Sequence, residues 1–107
     1  MKQIGKIQSI HLGTQEGYFG LFVTLSGKGW GVTSSQCFPD PATRKHTKEC
    51  KWTEEDRAKD AVKLCAGISA ILKDAQQTSL DALKNVPIEA TFEDHTLISW
   101  RILTEVL

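Results

Sequence analysis

The sequence predicts an α+β fold: an antiparallel sheet of about five strands packed on one main helix, in the order ββ(β)-long loop-α-(short helix)-ββ. Three observations carry this expectation. One long helical pattern runs from Trp52 to about Gln76. Runs of alternating apolar and polar residues stand on both sides of it. The chain has 107 residues, which suits a single domain, 1–107, with one core and no need of disulfides or metal.

Residues 2–12 are expected to form the first strand, with Ile4, Ile7, Ile10 and Leu12 as its apolar members. Their spacing is not a clean period of two, which predicts a bulge near Gly5 or a twisted edge strand. A turn is expected over Leu12–Gly17. Tyr18 to Leu25 then alternates clearly, with Phe19, Leu21, Val23 and Leu25 on one face and Tyr18, Phe22 and Thr24 on the other. Ser26-Gly27-Lys28-Gly29 turns the chain into Trp30-Gly31-Val32-Thr33, and glycine there supplies positive φ without steric cost. This glycine-rich stretch lacks the spacing of a phosphate-binding loop, and no helix follows it.

Residues 34–51 are expected to be a long connection, and loops of that length usually carry function. Two prolines stiffen Cys37-Phe38-Pro39-Asp40-Pro41. Arg44-Lys45-His46-Thr47-Lys48 is the densest basic patch in the chain.

The helix is well marked. Thr53 can cap it with Asp56 three residues on, and Glu54 and Glu55 complement the positive end of the dipole. Its buried stripe is expected to be Ala58, Ala61, Val62, Cys65, Ile68, Leu72 and Ala75, with Gly67 on the polar side. Thr78–Lys84 reads as a short helical turn ended by Asn85 and Pro87. Val86, Ile88, Ala90 and Phe92 then alternate as a strand, Glu93–Thr96 turns, and Ile98, Trp100 and Ile102 alternate on the return. Tyr18, Phe22 and Leu97 or Leu103 are expected on the uncovered sheet face, which makes a homodimer an expectation there.

Composition excludes several classes. Net charge is zero, but residues 1–51 carry +4 and residues 52–107 carry −4. A neutral chain with an acidic carboxyl-terminal half argues against nucleic acid as its partner. No run approaches the ~18 apolar residues that span a membrane, and the basic amino terminus lacks the apolar segment of a signal peptide. Three cysteines leave one unpaired in any disulfide scheme, which suits reduced thiols in a cytoplasm.

The candidate binding residues are Arg44, Lys45, His46 and Lys48, with Trp30 as an aromatic anchor. Gly29 and Gly31 leave the Trp30 indole little cover from its own strand. Cys37, His46 and Cys50 are the residues a metal would use, with His11 or His95 as a fourth ligand. Their spacing matches no strong zinc pattern, so ordinary thiols without metal are expected, with Cys65 in the core. Cys50 lies beside Lys48 and Lys51 just before the helix, which favours thiolate, yet only His46 is near enough in sequence to serve as a base. No convergent catalytic set is present, and neither enzymatic activity nor a cofactor is expected.

Lys28-Gly29-Trp30-Gly31, Trp52-Thr53-Glu54-Glu55-Asp56-Arg57 and Ser99-Trp100-Arg101-Ile102-Leu103-Thr104-Glu105-Val106-Leu107 together resemble a family of small uncharacterised accessory proteins of tailed bacteriophages and prophages. The resemblance follows the chain in order and is weakest over residues 33–51. It brings no catalytic motif. It implies a phage accessory protein that acts in the bacterial host by occupying a host protein, as inhibitors of antiphage defence do. The alternative is a small-molecule binder that sequesters a nucleotide signal, with Trp30 or Tyr18 stacked on the base.

Overall fold

A computed structural model describes residues 1–40, 42 and 53–107. Five strands form one antiparallel sheet: β1 (Lys2–Gln15), β2 (Tyr18–Gly27), β3 (Trp30–Pro39), β4 (Pro87–Glu93) and β5 (Thr96–Ile102). One helix, α1 (Glu54–Ala75), stands between β3 and β4, and a 3-10 turn covers Leu80–Leu83. The sheet order is β3-β2-β1-β4-β5, so β4 returns after the helix to lie beside β1. A meander whose fourth strand pairs with its first is a Greek key.

The first strand is the middle one, not an edge, and its odd apolar spacing has a local cause. Pairing with β2 runs Gly5↔Gly27, Lys6↔Ser26 and Ile7↔Leu25, then resumes at Ser9↔Thr24 and Ile10↔Val23. The extra residue, Gln8, forms a bulge that returns both Ile7 and Ile10 to the same face. The bulge therefore lies three residues beyond the expected position at Gly5. Ile7 is fully buried there, and Asn85 N–H donates to its carbonyl at 2.8 Å.

Two-residue turns join the hairpins more tightly than the sequence suggests. Glu16 and Gly17 have φ of 52° and 84°, and Asp94 and His95 have 50° and 66°. Paired positive φ values suit hairpin turns, since their twist matches that of the flanking strands. The strand after Gly29 continues to Pro39, so residues 34–39 are sheet and not loop. Every residue from Tyr18 to Gly27 has a partner on β3.

Leu21, Val23, Leu25, Ile88, Ala90 and Ile102 form the inner face of the sheet and are buried with Ile7, Leu64, Leu83 and Val86. The strands at the two ends of the order approach each other: the Trp100 Nε1–H donates to Ser34 Oγ at 3.2 Å. The sheet is thus curled toward a partly open barrel, and α1 packs on β2, β3 and β5. Thr53 caps the helix in a two-way box with Asp56, which holds the Asp56 carboxyl below its ordinary range. At the carboxyl end Gln76 closes α1 in the left-handed conformation, its N–H reaching the Leu72 and Lys73 carbonyls.

The helix is rotated from the expected stripe. Leu64 and Ala75 are buried, and Ala61, Ile68, Ile71 and Leu72 pack against the core, while Val62 is 69% exposed and Cys65 and Ala58 face outward. Gly67 shares this side of the helix: a methyl group there would stand 2.6 Å from the Gln36 Oε1 of β3, so Gly67 does not lie on the outer side. In β5 a second irregularity, opposite Thr91 and Phe92, brings Leu97 to the core cluster and leaves Ile98 56% exposed. Ile98, not Leu97, is therefore the exposed apolar residue of that strand. Near the end of β5, Arg101 forks onto Glu105 beyond the strand at 2.8 and 2.7 Å, which holds the Glu105 carboxyl down to about 2.

Cys37 and Cys65 are both exposed, which corrects the core placement of Cys65. Both thiols are expected to react with an aromatic disulfide reagent in the native protein. Cys65 protected until denaturation would contradict the rotation of α1.

Candidate recognition cleft

Trp30 opens β3 and lies opposite Gly27, which in turn lies opposite Gly5. All three residues belong to the inner side of the sheet. The indole rests on that glycine row: methyl groups built at Gly27 and Gly5 would stand 2.3 and 2.7 Å from its ring atoms. Glycine is required at both positions because any side chain would displace the ring. Trp30 takes its cover from neighbouring strands and is half-buried against the core, with Gly29 and Gly31 beside it.

Phe92, near the end of β4, meets Trp30 edge to face, with ring centroids 5.2 Å apart and planes at 77°. Such a pair contributes about 0.5–1.5 kcal/mol beyond its buried area. The two rings wall an open cleft of about 850 Å³ between the β2–β3 and β4–β5 turns. Its other linings are Met1, Gln3, Gly29, Gly31, Val32, Glu93, Asp94 and His95. Trp30 and Phe92 are half-buried, while Glu93, Asp94 and His95 are exposed. The Met1 amino group donates to the Phe92 carbonyl at 2.8 Å, tying the first residue to this rim.

This arrangement suits recognition. Two half-buried aromatic rings on a rigid sheet offer apolar surface at little entropic cost, and the turn residues add polar contacts around it. Of the sequence-derived candidates, Trp30 is placed here. Arg44, Lys45, His46 and Lys48 lie outside the described residues, as do Cys50 and Trp52. Phe92, Glu93 and Asp94 are legible in the sequence only as strand and turn, and His95 as a turn residue and candidate fourth metal ligand. The signal for their proximity to Trp30 is the β1–β4 pairing, which brings the two hairpins to one end of the sheet.

Of the Cys37, His46 and Cys50 set, His46 and Cys50 lie outside the described residues. Cys37 is exposed in β3, and His95 stands on the cleft rim. No group of three or more His, Cys, Asp or Glu is placed to hold a metal among the described residues. No helix among them is long and apolar enough to cross a membrane. Compared with known proteins, the chain matches no family model, no curated protein and no solved structure.

Proposed function

We propose that this chain is a non-enzymatic binding protein of phage or prophage origin that occupies a host protein in the bacterial cytoplasm, with an inhibitor of antiphage defence as the reading in view. The observation that supports it most is the open cleft walled by Trp30 and Phe92. A half-buried indole held over a glycine floor at the wall of an open cleft is an anchor of the kind that concentrates binding energy at protein interfaces. The phage origin rests on the resemblance of the Lys28–Gly31, Trp52–Arg57 and Ser99–Leu107 segments. The nucleotide-sequestering alternative fits this cleft less well, because Glu93 and Asp94 line it where a phosphate would need cations.

Arg44, Lys45, His46 and Lys48 belong to the proposal as a basic contact for an acidic partner, an argument that rests on the sequence. Affinity capture from a bacterial lysate, read by mass spectrometry, tests that part. Reversing two charges, Arg44→Glu with Lys45→Glu, is expected to weaken retention of the captured protein about tenfold or more at low salt and to flatten its salt sensitivity. Retention unchanged by the reversal would remove Arg44 and Lys45 from the interface.

A further inference from the structure

The cleft lies on the inner side of the sheet; the outer side of β1–β3 carries a different chemistry. The pairing registers place fifteen residues there in five rows. They are Lys6, Ser26 and Gly31; Ser9, Thr24 and Thr33; His11, Phe22 and Ser35; Gly13, Gly20 and Cys37; and Gln15, Tyr18 and Pro39. None is a carboxylate, in a chain with 13 acidic residues. On β4, the carboxylate that shares this side, Glu89, is engaged by Arg101 at 3.2 Å and Lys2 at 3.9 Å.

The middle of the face is aromatic. The His11 and Phe22 rings lie stacked at 6.1 Å between centroids with planes 26° apart, His11 exposed and Phe22 half-buried. Tyr18 is 39% exposed one strand-turn away. Gly13 leaves room for the imidazole to lie flat, since a methyl group there would meet its Nε2 at 2.9 Å. Around the rings stand hydroxyls, with Thr24 and Thr33 3.5 Å apart across β2 and β3. Lys6 lies at one end of the face, and Lys28 in the adjacent turn.

We infer that this outer face of β1–β3 binds single-stranded nucleic acid, with bases stacked on the His11–Phe22 pair and the backbone met by hydroxyls and the two lysines. Stacking platforms beside cations bind single strands with little sequence preference, because every base has a π-face. The neutral charge of the chain weighs against polyanion binding only as a whole-chain quantity; the five rows of this face carry no carboxylate, and Glu16 stands in the turn at the end away from Lys6 and Lys28. A second copy of the chain is the weaker occupant, because the five rows are rich in hydroxyls and the large apolar side chains on this side are Phe22, Tyr18 and, two residues before Lys6, Ile4. Partly open five-stranded Greek-key barrels also bind oligonucleotides through their β2–β3 face, a likeness of architecture only.

The test uses the full chain and a fluorescein-labelled 20-nucleotide oligo-dT at low salt, read by anisotropy. Saturable binding is expected, with a duplex of equal length bound more weakly. His11→Ala with Phe22→Ala is expected to weaken binding about tenfold or more at an unchanged far-UV spectrum. Two lysine contacts predict a slope of about −1.4 for log affinity against log salt. If the double variant loses fold, Phe22→Leu with His11→Gln replaces it. Absence of saturable binding by the wild-type chain overturns the inference, as does equal binding by the variants. A dimer in sedimentation that Phe22→Arg dissociates, with no oligonucleotide bound, would assign the face to a second copy instead. Because Trp30 and Phe92 are untouched, either negative result leaves the host-protein reading standing.

Discussion

Gly20→Ala is expected to cost about 3 kcal/mol and to lower the midpoint of thermal unfolding by roughly 12–20 °C, the largest effect of any single methyl addition in this chain. Gly20 is buried in β2, and its partner across the ladder is Cys37. A Cβ there would stand 2.2 Å from the Gln36 carbonyl oxygen and 2.5 Å from the Cys37 Cα. Both obstacles are backbone, so no rotamer change relieves the clash. The β2–β3 ladder would have to separate at this row. Calorimetry of the purified variant checks it, and a midpoint within 3–4 °C of wild type would show that the strands are farther apart than described.

The second large effect is expected at Ile88. Its side chain is fully buried, and it lies where β4 meets both Gly5 of β1 and Ile102 of β5. Ile88→Ala removes three methyl or methylene carbons from the junction of three strands and leaves a cavity the rigid sheet cannot close. A loss of about 2–5 kcal/mol follows, measured by urea unfolding with an unchanged slope. That is a large part of the 5–15 kcal/mol typical of a whole domain. A loss below about 1 kcal/mol would mean that the helix and the 3-10 turn collapse onto the site.

The sheet was legible because one face of each strand is apolar and period two exposes that face at once. What the sequence hid has three physical sources. Bulges break the period: Gln8 brings Ile7 and Ile10 to one side, and the irregularity before Ser99 exchanges Leu97 for Ile98. Polar residues on the inner side hide a strand: Ser34 and Gln36 lie on that side of β3 by alternation, the first bonded by Trp100 and the second beside Gly67 of α1, so residues 34–39 resemble a loop. A helix with many small residues leaves its centre line open, and Ala58, Ala61 and Cys65 gave no weight to choose it, whereas Leu64 does. The same limits apply to the site. Trp30 stands out by its flanking glycines, but Phe92 reads as an ordinary strand residue until β1–β4 pairing places it at the indole. The His11–Phe22 pair needs the β1 register beyond the bulge, which the sequence alone does not supply.

Capture from a bacterial lysate with Trp30→Ala beside the wild-type chain tests the recognition cleft most directly. Thermal unfolding of both proteins is recorded first, so that loss of fold is distinguished from loss of contact, and Trp30→Phe serves as the conservative variant. The cleft predicts that a host protein retained by the wild type is lost from Trp30→Ala and partly recovered with Trp30→Phe. The same host proteins retained in the same amounts by all three would contradict it.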